Sequence, residues 1–175
     1  LQAWLTVVGL DLKTIGIFTL VGLPYTVKFL WAPLMDRLVP PWLGRRRGWM
    51  LVTQVGVALG LVAMALTGPG QRPEILGALA LTVAFLSASL DIVFDAYRTD
   101  VLVPPERGFG AAVWVNGYRC ALLVASAGSL LLADHIGWPN TYLLLATLMA
   151  AGVVTILLSP EPSEQSAAPA SLAEA

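Results

Sequence analysis

Residues 48–71 and 136–160 each run for more than twenty positions without a charged side chain. A hydrocarbon core about 30 Å thick is crossed by about 20 helical residues. Inside lipid every backbone N–H and C=O must find its partner within the protein, which leaves only helices and closed barrels. These runs are continuously apolar rather than alternating, so they read as helices. Charged residues make up 12% of the chain, about half the ~25% of a soluble domain. The class that follows is an all-α, polytopic membrane protein.

The opening, LQAWLTVVGL, is apolar from its first residue and lacks an initiator methionine. It reads as the end of a helix begun upstream, so the chain is expected to be a piece of a longer protein. Five full spans are expected, over about 12–35, 49–66, 75–103, 109–133 and 141–158, with Asp11 as N-cap of the first. Together residues 1–158 make one transmembrane bundle. Turn chemistry separates the later spans: GPGQRP (68–73), PPERG (104–108) and DHIGWPN (134–140). The end, SPEPSEQSAAPASLAEA (159–175), lacks aromatics and is expected to be a disordered cytoplasmic tail or the start of a linker.

Orientation follows from the basic residues. Arg37, Arg45, Arg46, Arg47, Arg98 and Arg107 fall on one side of these spans, with only Lys13 and Arg72 opposite. The arginine-rich loop and the C-terminal end are therefore expected in the cytoplasm. Small residues sit at packing spacings: Gly56 and Gly60 in the second full span, and Gly110, Ala111, Ala112, Gly117, Ala121, Ala125 and Gly128 in the fourth. They let helix backbones approach closely in lipid. Pro24 and Pro33 are positioned to kink the first span.

Lys28, Asp91, Asp95 and Arg119 lie inside spans, where a charge costs at least a few kcal/mol unless paired or hydrated. At about 100° per residue, Asp91, Asp95 and Arg98 share one narrow face, and Asp100 points the opposite way. DIVFDAYRTD (91–100) is thus an inward face and a rim acid. Lys28 and Arg119 offer cations at similar depth, with Asn116 one turn before Arg119. Gln54 and Thr53 can add to this polar set or bond across helices. Two readings stay open for the charges: ion pairs that fix helix register, or a substrate and proton path. A third is a membrane transferase holding Mg²⁺ on the D-x-x-x-D pair Asp91 and Asp95. Against it stand the absence of a second aspartate-rich motif and the presence of Arg98 on the same face.

Little else points to chemistry. The net charge of −1 and scattered basic residues leave no nucleic-acid surface. The single cysteine, Cys120, is expected to be a packed thiol and excludes an internal disulfide. No phosphate loop, nucleotide signature, nucleophile triad, metal-ligand set or cofactor motif is present, so no enzyme activity, metal or cofactor is expected. His135 is expected to be solvated in a loop. The tryptophans Trp4, Trp31, Trp42, Trp49, Trp114 and Trp138 fall mostly near span ends, as aromatic belts do. Trp114 is deeper and suits stacking on a sugar.

The loop APLMDRLVPPWLGRRRGW (32–49) resembles the signature G-x-L-x-D-R-x-G-R-[RK] between the second and third helices of the major facilitator superfamily. Ala32 replaces the first glycine, and VPPWL is inserted between the halves. These departures, with LQAWLTVVGLDLKTIGIFTLVGLPYTVKFLWAPLMDR, SASLDIVFDAYRTDVLVPPERGFGAA and GYR, are similar to the AmpG-type muropeptide permeases, a family sharing its fold with acetyl-CoA transporters. The resemblance covers residues 1 to about 162. It implies the N-terminal half of a twelve-or-more-helix fold, the end of helix 1 followed by helices 2 to 6, with the C-terminal six-helix half missing.

The resemblance also implies a function. It is the proton-coupled import of anhydro-muropeptides across the bacterial inner membrane for peptidoglycan recycling, with another cargo such as acetyl-CoA as the alternative. It implies a cytoplasmic gate as well, in which Asp36 meets a helix N-terminus of the other half and Arg45 or Arg46 pairs with Asp100. Arg37 and Gly44 belong to the same signature. Given such a function, the inward face derived above assigns the coupled proton to Asp91 or Asp95, with Lys28 and Arg119 holding substrate carboxylates or retuning the acid.

Overall fold

The computed structural model describes residues 1–68 and 73–162. Arg72 and the expected tail from residue 163 onward lie outside the described residues. The architecture is all-α, and no strand occurs among the described residues. Its long helices are α5 (Arg45–Thr67), α6 (Pro73–Val101), α7 (Arg107–Leu123) and α9 (Trp138–Leu158). A single π-turn, Val124–Gly128, joins α7 to the short α8 (Ser129–Ile136). Helices long and apolar enough to cross a membrane cover 45–67, 73–101, 104–136 and 138–158.

Ahead of them lie α1 (Gln2–Val7), α2 (Leu12–Ile17), α3 (Leu23–Val27) and α4 (Ala32–Arg37), with 3₁₀ turns at Phe18–Gly22 and Lys28–Leu30. Residues 12–35, read as one span, are therefore a string of short helical pieces. Pro24 and Pro33 each stand in the first turn of a new piece. A proline has no N–H to donate and crowds the carbonyl four residues back, so the ladder lapses before it and restarts after it. Asp11 caps α2 as expected: its carboxylate accepts from the Thr14 N–H at 3.2 Å and the Thr14 hydroxyl at 2.6 Å. Those donations hold its carboxyl below the usual carboxylate range.

Helix α5 is the hub, packed on α6 along one side and α9 along the other. The G-x-x-x-G pair makes the first contact possible. A methyl at Gly56 would stand 2.8 Å from Leu86 Cδ1, and one at Gly60 would stand 2.4 Å from Val83 Cγ2. Toward α9, Gln54 Nε2 donates to the Met149 carbonyl at 2.9 Å, directly over Gly152. Apolar clusters close the two ends of the bundle. One gathers Trp4, Leu5, Phe18, Met64, Leu76 and Tyr142, and the other Met35, Met50, Val93 and Ile156.

Trp4 is buried at one end of the bundle, with its ring against Trp138 and Tyr142. Three expectations need correction. The small residues of the fourth span do not pack a helix among the described residues. Nearly all of α7 is exposed, nothing lies within 4 Å of a methyl placed at Gly117, and Cys120 is an exposed thiol. His135 sits in the last turn of α8, exposed, with Nδ1 2.8 Å from the Leu131 carbonyl, rather than in a loop. Composition dictates that these segments enter lipid, but only packing partners decide which faces close.

Candidate functional site: two charged layers along helix α6

At one end of the bundle the arginine run opens α5. Gly44 precedes it with φ of +79°, a conformation that favours glycine. A methyl there would stand 2.2 Å from Glu161 Oε1, so the residues after α9 close directly onto this turn. The next three arginines point to three places. Arg45, 4% exposed, donates from Nη1 to the Asp36 carbonyl at 3.3 Å. Arg46 bridges two acids, with Nη1 2.5 Å from Asp36 Oδ1 and Nε 2.8 Å from Asp100 Oδ2. Arg47 donates to the carbonyls of Ile156 at 3.1 Å and Leu157 at 2.7 Å, where the α9 dipole is negative. Arg37 is exposed in the last turn of α4 and forms no ion pair among the described residues. Tyr97 donates to the Pro160 carbonyl at 2.7 Å, tying the segment after α9 to α6.

The second layer lies deeper. Asp91 is nine residues, about 13.5 Å along the helix axis, from Asp100, and its carboxylate pairs with the Lys28 ammonium. The interruption at Lys28–Leu30 is what brings that lysine to α6. Asp95 pairs with Arg98 on its own helix, at 3.2 Å. Arg98 also lies 5.5 Å from the centre of the Trp114 ring, and Trp114 stacks on Phe94 at 4.7 Å. Trp114 thus faces α6 and packs on Arg98 and Phe94, which leaves it engaged rather than open to a sugar. Asp91 and Asp95 each face a cation, as a pair of shared metal ligands would not.

Of the expected inner set, the structure brings Lys28, Asp91, Asp95 and Arg98 to one face of α6. It does not bring Arg119 or Asn116 there. Both lie on exposed surface of α7, and Asn116 donates to its own helix at the Ala112 carbonyl, 2.8 Å away. Five residues beyond Trp114, Arg119 is about 140° round the helix from the side that meets α6.

The structure adds residues that sequence reasoning passed over. Tyr25 donates to Ser87 at 2.7 Å, and Trp31 Nε1 to Ser89 at 3.0 Å. Ser87 was findable, since it stands four residues before Asp91 and extends the 87–91–95–98 stripe by one turn. Tyr25, Trp31, Tyr97 and Glu161 carry no local signal; their roles depend on which helix they meet.

Comparison with known proteins agrees with this architecture. The family model described as Major Facilitator Superfamily matches residues 3–174. Over its whole length the chain is 51% identical to a protein of Escherichia coli (strain K12) named anhydromuropeptide permease, covering 36% of that relative. It is 32% identical over 90% of its length to a Rickettsia felis protein named putative transporter AmpG 4, covering 39% of it. The chain thus spans little more than a third of these relatives. With a family match over nearly all its residues, and apolar helices ordered about a charged seam, the chain belongs to the major facilitator superfamily.

Proposed function

We propose that this chain is part of a secondary active transporter that imports anhydromuropeptides across the bacterial inner membrane, driven by protons, in peptidoglycan recycling. The 51% identity across the whole chain to the anhydromuropeptide permease carries the reading. The deeper layer supports it: a lysine and two carboxylates at membrane depth are costly, and such groups mark ion and substrate paths. Asp91, or Asp95 one turn on, carries the coupled proton. Lys28 holds a cargo carboxylate when Asp91 is protonated and releases it.

The outer layer is the gate. Asp36, Arg37, Gly44, Arg45, Arg46 and Asp100 form a latch whose centre is Arg46. Its location at the end of the bundle where α9 finishes, together with the arginine excess, supports a cytoplasmic placement for this end and for the C-terminal end of the chain. The test is uptake of labelled anhydromuropeptide into vesicles holding the full-length permease under an imposed proton gradient. Asp91→Asn or Asp95→Asn should abolish coupled uptake. Retention by both at wild-type expression refutes the proton assignment, and absence of uptake by the wild type refutes the cargo. Undiminished transport by Asp100→Ala refutes the latch.

A further inference from the structure

Helix α6 carries four serine and threonine side chains, and three of them are spent on its own backbone. Thr82 donates to the Ala78 carbonyl, Ser89 to Phe85 and Thr99 to Asp95, at 2.9, 2.8 and 2.9 Å. This back-bonding is the ordinary way a helix in lipid disposes of a hydroxyl proton. Ser87 differs. Its oxygen accepts from Tyr25, and its own proton meets no acceptor among the described residues. Ser87 is also the middle residue of α6, with fourteen on either side, and so lies far from water at both ends. Tyr25 is out of place too, because tyrosines in membranes gather at the interface. This one is 46% exposed in the middle of the 12–37 segment.

One turn away the ion pair has capacity to spare. Asp91 uses Oδ2 for Lys28, which leaves Oδ1 able to accept, and the Lys28 ammonium has two further N–H groups. Ser87 and Asp91 are four apart, which separates their Cβ atoms by about 5–6 Å. Ser87 and Lys28 therefore present unspent donors, and Tyr25 and Asp91 unspent acceptors, across the width of one pyranose ring. A group bearing hydroxyl or acetamido substituents on opposite edges satisfies them together; an apolar lipid chain satisfies none.

We propose that the Tyr25–Ser87 hydroxyl pair is the sugar-binding element of the cargo site, with Ser87 donating to a hydroxyl or acetamido oxygen of an N-acetylated sugar beside the Lys28–Asp91 pair. The assignment rests on the transport reading above and makes it specific, separating the part of the site that meets sugar from the part that meets peptide carboxylates.

The experiment measures KM for uptake by the full-length permease with two cargoes, an anhydro-disaccharide peptide and the same anhydro-disaccharide without peptide. Loss of one neutral hydrogen bond corresponds to a rise of about five- to tenfold in KM. Ser87→Ala and Tyr25→Phe should raise KM by that factor for both cargoes, with Ser87→Thr restoring it. KM does not depend on how much folded permease is present, so reduced expression leaves the result readable. An unchanged KM, or a rise confined to the peptide-bearing cargo, overturns the proposal while leaving the transport reading intact. A wild-type permease that takes up neither cargo overturns the transport reading instead.

Discussion

Replacing Arg46 by alanine strips the cation from two acids at once, and the two losses should be unequal. Asp36 is 34% exposed, so its contact at 2.5 Å behaves as a largely solvated pair worth about 0.5–1 kcal/mol. Asp100 is 17% exposed and Arg46 itself 12%, so their contact at 2.8 Å is mostly desolvated. A charge-assisted bond of that kind contributes about 1.5–3 kcal/mol, and its loss leaves a partly buried carboxylate without its cation. Arg46→Ala should therefore destabilise the protein by about 2–3 kcal/mol. In double-mutant cycles the coupling of Arg46 to Asp100 should reach about 1.5–2 kcal/mol, against about 0.5–1 kcal/mol for Asp36. Arg46→Lys should keep only part of either, since one ammonium cannot reproduce a guanidinium fork held between two acids. The assay is SDS-induced unfolding of the full-length protein in detergent, followed by tryptophan fluorescence, for Arg46→Ala, Asp36→Asn, Asp100→Asn and the two doubles. Equal couplings, or a larger one for Asp36, would show that burial does not set the strength of this latch. Additivity at both acids would refute the bridge.

At the deeper layer, Lys28→Met or Asp91→Asn alone should cost about 1–3 kcal/mol by stranding the partner charge, and Lys28→Met with Asp91→Leu should recover folded yield while transport stays lost; a double variant less folded than either single contradicts this. Gly60→Leu should destabilise by about 2–3 kcal/mol, because Val83 already fills the space, whereas Gly117→Ala should shift stability by less than about 1 kcal/mol. Thermal midpoints in detergent check both, and equal sensitivity of the two sites would sink the packing argument. The Asp11 cap predicts a pH dependence with a definite sign. A carboxyl lowered in the folded state stabilises fully above its unfolded value and loses that contribution as pH falls through the folded one. Protection of the Thr14 amide, measured against its intrinsic exchange rate at each pH, should therefore fall in acid, and Asp11→Asn should remove that dependence; a loss of protection that persists in the variant would assign it to another group.

How much of this was legible before the fold can be followed on α6. The division of DIVFDAYRTD into an inward face and a rim acid needed only the helical period, and Asp91 and Asp100 indeed reach different partners in different layers. The period also puts Ser87 on the inward stripe. It is silent on Ser87's unspent proton, which depends on Tyr25 arriving from another element. The inward cluster was drawn too wide for a similar reason. Arg119 has the right depth, but depth says nothing of which way α7 turns, and Trp114 rather than Arg119 faces α6.

The segment 12–37 draws the line most clearly. Its prolines announce a kink in one span from sequence alone, because each removes a donor whatever surrounds it; the division into short pieces appears only in the structure. That the break at Lys28–Leu30 delivers a lysine to Asp91 depends on how the pieces lie against α6. Sequence by itself determined what is local or additive: entry into lipid, helical periodicity, the Asp11 cap, the glycine spacing of α5 and the membership of a motif. Tertiary structure decided what depends on two distant elements meeting: the Arg46 bridge, the closure of Glu161 on Gly44, and the donors and acceptors along α6 left unspent among the described residues. A partner sixty residues away leaves no mark on the stretch it will touch.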